Sequence, residues 1–194
     1  MEKIIIIGGG GLGKIVIDII GQDGGYAIEG IIDASLTGKK VAGIKVIGTD
    51  DDLADILKGG ISKAAFAIGG VSLDTNIERM RKYKKIEDEG FEIISVIQKD
   101  SYVSRTATLG AGNIIVGNCY IGPGVKLGSG VIMHPFTSVE HDSIIGDYVQ
   151  LSQGVKIAGS AKIGKASFIG MGASIIQGAI MPEETFVKSG SIYR

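Results

Sequence analysis

The chain has 194 residues, 32 of them Gly and 3 Pro, with one Cys, no Trp and a net charge of -1. Gly without a three-residue period excludes collagen, and 44% hydrophobic residues exclude a disordered chain. The balanced charge gives no reason to bind nucleic acid or an anionic membrane, and a single Cys fits a reducing compartment. Four isoleucines after Lys3 are too few for a signal core or a membrane span, so a cytoplasmic protein without a membrane span is expected.

Residues Lys3 to Ile7 form an unbroken apolar run, the pattern of a buried parallel strand. It enters Gly8-Gly9-Gly10-Gly11-Leu12-Gly13, which fits G-x-G-x-x-G, and a helix follows through Val16, Ile19 and Ile20. Such glycines let backbone N–H groups at a helix start approach a phosphate, which nominates Gly8, Gly10, Gly11, Gly13 and Lys14 for substrate binding. A second strand, Ile28 to Ile32, ends at Asp33, where a carboxylate can accept ribose hydroxyls. A third strand near Val46-Ile47 precedes Thr49-Asp50-Asp51-Asp52, a helix start. A fourth, Ala64 to Ile68, runs into Gly69, a further candidate for substrate binding, and a helix carries Arg79, Arg81, Lys82, Lys84 and Lys85. That basic run reads as a solvated helix face, with Arg79 near enough to the helix start to meet a phosphate. A final strand spans Phe91 to Ile97. About one mononucleotide half is present, so a mononucleotide or nucleotide sugar fits better than NAD. A tight turn without ligand remains the alternative.

From Val103 onward, every sixth residue to Val187 is aliphatic or Met, fifteen in succession. Four residues after each comes a small or β-branched residue, Asn113 excepted. Gly follows the aliphatic residue at Gly110, Gly122, Gly128, Gly146, Gly164 and Gly170, where it is expected to relieve strain at turns. This period predicts a parallel β-helix of three hexads per coil and about five coils. Cys119 falls in the small inward series and reads as a buried thiol rather than a nucleophile. The expected organisation is a Rossmann-like α/β domain over residues 1–98 and an all-β parallel β-helix over 99–194.

The only histidines are His134 and His141. His141 and Asp142 are expected to face outward at a corner, and one coil on lies Gly159, a position without a side chain that should leave a slot beside the ring. Histidine is a suitable base for a proton released by an attacking amine or hydroxyl, and a neighbouring carboxylate fixes its tautomer. Two histidines without a cluster of Cys or carboxylates make no metal site.

The whole chain resembles the bacterial hexapeptide-repeat sugar acetyltransferases that act on sialic acid or on bacillosamine and perosamine precursors. The segments that carry the likeness are Ile7 to Lys14, Ile31-Ile32-Asp33, Val46 to Asp50, Phe66 to Gly69 and, most specifically, Val139-Glu140-His141-Asp142-Ser143-Ile144-Ile145-Gly146-Asp147-Tyr148-Val149. The resemblance implies a left-handed β-helix, a homotrimer, and acetyl-CoA lying along the β-helix between subunits. It further implies a nucleotide sugar held by the N-terminal domain, His141 as base with Asp142 as its partner, and Ala158, Gly159, Met171 and Gly172 along the CoA channel. The pattern departs at Leu12, His134 and Gln150, where the family usually has His, Asn and His, and His134 and Gln150 are expected beside the substrate. The implied reaction is acetyl transfer to the amine of a UDP- or GDP-linked 4-amino sugar. Sialic acid O-acetylation and a non-catalytic sugar-nucleotide scaffold remain open alternatives.

Overall fold

A computed structural model describes all residues, 1–194. The chain divides into two compact units, one of Met1–Ile68 and Arg81–Val96, the other of Gly69–Met80 and Ile97–Arg194.

The first unit is built on a sheet in which β1 (Glu2–Ile7) lies between β2 (Tyr26–Ile32) and β5 (Lys63–Phe66), parallel to both. Outside them lie β3 (Lys40–Val41) and β4 (Ile44–Gly48) on one side and β6 (Glu92–Ile93) on the other, giving the order β3-β4-β2-β1-β5-β6. The apolar run of β1 is explained by its central place, since Ile4 to Ile7 are fully buried. Helix α1 (Gly11–Asp23) turns Leu12, Val16, Ile17, Ile19 and Ile20 inward and ends at Gly24 in the left-handed conformation. Strand β3 (Lys40–Val41), absent from the sequence expectation, pairs antiparallel with β4 through a tight turn at Ala42-Gly43. The expected helix start is present: Thr49 and Asp52 form a capping box ahead of α2 (Leu53–Lys58). Helix α3 (Leu73–Asp88) is shared, its residues to Met80 clustering with the second unit.

The second unit is a three-faced parallel β-helix of two-residue strands. Each strand pairs with those eighteen residues away, as in Tyr120-Ile121 with Ser138-Val139, so one coil is three hexads. The aliphatic residue of each hexad fills the prism, from Ile115 to Val187 at no more than 4% exposure. The small series lines the corners, and the one exception, Asn113, is buried with its amide bonded to Gly110 O and Val131 N.

The glycine after each aliphatic residue has a different reason from the expected one. A Cβ at Gly146 would lie 2.7 Å from Lys165 N, and one at Gly128 would lie 2.6 Å from Asp147 N. These glycines permit close coil-on-coil approach. Left-handed backbone recurs two residues later in the frame, at Gly130, Phe136, Asp142, Tyr148 and Gly154, whether or not the residue is Gly.

Candidate active site

In the first unit, the glycine loop divides by function. Gly8 adopts φ +100°, and a Cβ there would lie 2.7 Å from Ile68 Cγ1; a Cβ at Gly13 would collide with the Gly8 carbonyl. Those two serve packing of strand, helix and loop. Gly10 and Gly11 face open space. No side chain caps α1 at Gly10 and no acidic residue stands in its first turn, so its N–H groups and dipole remain available to an anion. A cleft of about 470 Å³ opens here, lined by Gly9, Gly10, Gly11, Lys14, Leu36, Lys40, Val41 and Ala42. Lys40 carried no sequence signal; the β3–β4 hairpin brings it in.

Asp33 is committed to the loop itself. Oδ2 accepts the Gly9 N–H at 2.8 Å and Oδ1 accepts the Ser35 N–H and Oγ–H. Burial alone would raise this carboxyl, but the bonds from Ser35 and Gly9 and the charge of Lys82 outweigh it and hold the carboxyl below 3.8.

Arg79 is neither solvated nor set toward a phosphate. It is 2% exposed, and its guanidinium donates to Asn76 Oδ1, Gly130 O and Tyr148 O. Asn76, fully buried, donates to Ala166 O at 2.8 Å and Tyr148 O at 3.1 Å. Gly130, Tyr148 and Ala166 are stacked corner positions one coil apart, so the start of α3 is fastened to a column of carbonyls. Of the remaining basic run, Lys82 pairs with Asp50 at 3.0 Å.

In the β-helix, the nominated residues gather at two different corners. Where the face of Ile132-Met133 turns into that of Ser138-Val139, a cleft of about 350 Å³ brings together His134, Gln150 and Met171 with Gly70, Val71, Ser152, Gln153, Phe168, Gly170, Phe186 and Ser189. Gln150 is held by a pair of hydrogen bonds to the backbone of one residue: its Oε1 accepts Gly70 N–H at 2.7 Å and its Nε2 donates to Gly70 O at 2.8 Å. Gly69, the nominated neighbour, is exposed and makes no such pair. Burial, with the Arg79 charge second, pushes the His134 imidazole below 6.5 and favours its neutral form.

His141 and Asp142 stand at the next corner, with His141 Nδ1 2.9 Å from Asp142 Oδ2. Both side chains are more than half exposed. Asp142 is fixed in left-handed backbone at φ +59°, its N–H bonded to Pro123 O. A Cβ at Gly159 would lie 2.6 Å from His141 Nε2, so the imidazole itself fills the expected slot. Ala158 shares this corner, whereas Met171 and Gly172 belong to the first, so a single chain does not join the four into one channel. Across the protein no group of three or more His, Cys, Asp or Glu gathers to hold a metal, and no helix is long and apolar enough to cross a membrane.

Comparison with known proteins bears on both units. Residues 3–86 match the family model described as the PglD N-terminal domain. The chain is similar to the structure of PerB from Caulobacter crescentus in complex with CoA and GDP-perosamine (TM-score 0.91, 29% identity), over all of this chain and 89% of that one. It is also similar to the acetyltransferase domain of PglB from Neisseria gonorrhoeae in complex with acetyl coenzyme A (TM-score 0.90, 28% identity, 91% of that chain). These likenesses give the β-helix its left-handed sense and the first unit its Rossmann-like class. The GDP-perosamine N-acetyltransferase of Escherichia coli O157:H7 is 31% identical over 179 residues, covering 89% of this chain and 77% of that protein. By that extent of shared sequence, the chain belongs to the hexapeptide-repeat sugar N-acetyltransferase family.

Proposed function

We propose that this protein transfers the acetyl group of acetyl-CoA to the amine of a nucleotide-linked 4-amino sugar. The observation that carries the assignment to residues is the His141–Asp142 pair over Gly159. Asp142 holds Nδ1, which leaves Nε2 as the basic atom that takes the proton as the amine attacks the thioester carbon. The Gly159 N–H donates to no group within the chain, and a backbone donor there suits the oxyanion of the tetrahedral intermediate. Collapse of that intermediate breaks the carbon–sulfur bond and releases CoA thiol.

Residues 1–98 serve as the nucleotide-sugar domain and 99–194 as the acetyltransferase domain. The open face of Gly10 and Gly11, the uncapped start of α1, and Lys14 and Lys40 form a cradle of the right sign for a diphosphate. PerB was solved with CoA and GDP-perosamine, which supports a GDP- or UDP-linked amino sugar as acceptor. The protein works as a homotrimer in the cytoplasm. In the trimer the His141 corner of one copy faces the Met171 corner of the next, which joins Ala158 and Gly159 to Met171 and Gly172 as one CoA channel. Light scattering should give three times 20.1 kDa. Acetyl transfer to GDP-perosamine or a UDP-4-amino sugar, followed by CoA thiol release, tests the reaction; loss of transfer by a factor of about 10² in His141→Ala is the expected result. Near-wild-type turnover in that variant overturns the assignment.

A further inference from the structure

Phe136 is a large aromatic residue in a place that its own chain does not explain. It stands at the corner of His134 in left-handed backbone, φ +64°, a conformation that strains a bulky side chain. The positions stacked on it one, two and three coils on are Gly154, Gly172 and Gly190, all left-handed as well. Tyr148, the other aromatic residue held this way, is 6% exposed, and its carbonyl anchors Asn76 and Arg79. Phe136 is 67% exposed. Strain kept with no burial to offset it points to a contact made outside the chain.

The hexad frame locates that contact. Phe136 and Asp142 each lie three residues after an inward aliphatic residue, Met133 and Val139, so they hold equivalent places at adjoining corners of one coil. Cyclic symmetry carries no translation along its axis, so copies whose β-helices run along that axis meet coil against coil. In the trimer proposed above, the corner of Phe136 and Met171 faces the His141 corner of the next copy, and Phe136 stands level with His141 and Asp142. Two coils on, the same relation sets Met171, 57% exposed, against Ile176, 42% exposed, so apolar meets apolar there. Ala158 and Gly159 lie one coil beyond the level of His141, and Met171 and Gly172 two, so the residues assigned to CoA are all on that side. Phe136 is left to the acceptor, and an aromatic ring suits the C–H face of a sugar.

We propose that Phe136 of one copy closes the active site of the next, its ring forming the wall against which the acceptor sugar sits beside His141. The proposal rests on the trimer and the reaction above, and its geometry can be read without turnover. In a Phe136→Cys/Asp142→Cys protein, a bis-maleimide too short to span one face of the prism should link copies into covalent trimers. Either single variant should run as single chains on denaturing gels, since Cys119 is buried. No link in the double variant overturns the proposal. Kinetics use GDP-perosamine or a UDP-4-amino sugar, whichever the wild type acetylates. Phe136→Gly, which relieves the strain, should keep the melting temperature and the KM for acetyl-CoA while the KM for the sugar rises about tenfold. Phe136→Tyr should restore it. Mixed trimers of Phe136→Gly and His141→Ala chains should regain low-KM sites, because a copy with intact His141 then faces a copy with intact Phe136. A wild-type sugar KM in Phe136→Gly, or mixed trimers without low-KM sites, overturns the proposal. Cross-linked trimers with no acetyl transfer by the wild type overturn the reaction and the sugar contact, and leave the interface standing.

Discussion

The far end of the His141 imidazole occupies the space where any other residue at position 159 would carry its Cβ: Nε2, Cε1 and Cδ2 would all fall between 2.6 and 3.1 Å of that atom. Only Gly at 159 lets the ring rest there with Nδ1 on Asp142. Since every close atom belongs to the end of one exposed side chain, Gly159→Ala should displace the ring and leave the fold intact. A misplacement of about 1 Å is enough to cost on the order of 10²-fold in rate. We expect kcat to fall at least about tenfold with an unchanged melting temperature. A variant as active as wild type would mean that this ring position is not the working one.

The Asn76–Arg79 fastening predicts a stability effect. Asn76→Leu removes donors from the Ala166 and Tyr148 carbonyls and the acceptor of Arg79 Nε. Each buried group left unpaired costs about 1–3 kcal/mol, and in a chain of this size each 1 kcal/mol lowers Tm by roughly 2–4 °C. A drop of at least about 4 °C in thermal melts is expected.

The repeat was legible because its signal is local and redundant: one aliphatic side chain per hexad must fill the prism, whatever the rest of the coil does. Gly146 and Gly128 were legible as necessary but not for the right reason, since their constraint is the backbone of the next coil, eighteen residues away. The burial of Arg79 escapes the sequence for a related cause. A sequence shows a charge on a helix, whereas the corner carbonyls of Gly130 and Tyr148 that bury it lie fifty and more residues downstream. His141 and Asp142 were legible as neighbours, but the two-corner division of the site emerges only when the hexads are folded into three faces. Lys40 was invisible because a two-residue hairpin strand has no periodicity to detect.

Acid should destabilise the protein in two stages. His134 is held below 6.5 by burial and by Arg79, so folding favours its neutral form. Its contribution is complete above about pH 6.5 and is lost as pH falls toward the lowered native value, where the unfolded chain binds a proton that the folded one resists. Asp33, held below 3.8, contributes above that pH and loses its contribution as pH falls through the native value. Denaturant midpoints measured from pH 8 to 5 should decline for the wild type and stay flatter for His134→Asn. An equal decline in both would remove His134 from the account.

Cys119 tests the inward assignment of the small series. It is 2% exposed, and its Sγ–H donates to the His134 carbonyl at 3.2 Å. Burial pushes the thiol up to about 11, so at pH 8 the thiolate, the only reactive form, is scarce as well as shielded. Native protein should give less than about one tenth of a thiol equivalent with a disulfide reagent over an hour, and a full equivalent in denaturant. Rapid labelling of the native protein would place Cys119 outside the prism and break the six-residue frame that positions His134 and His141.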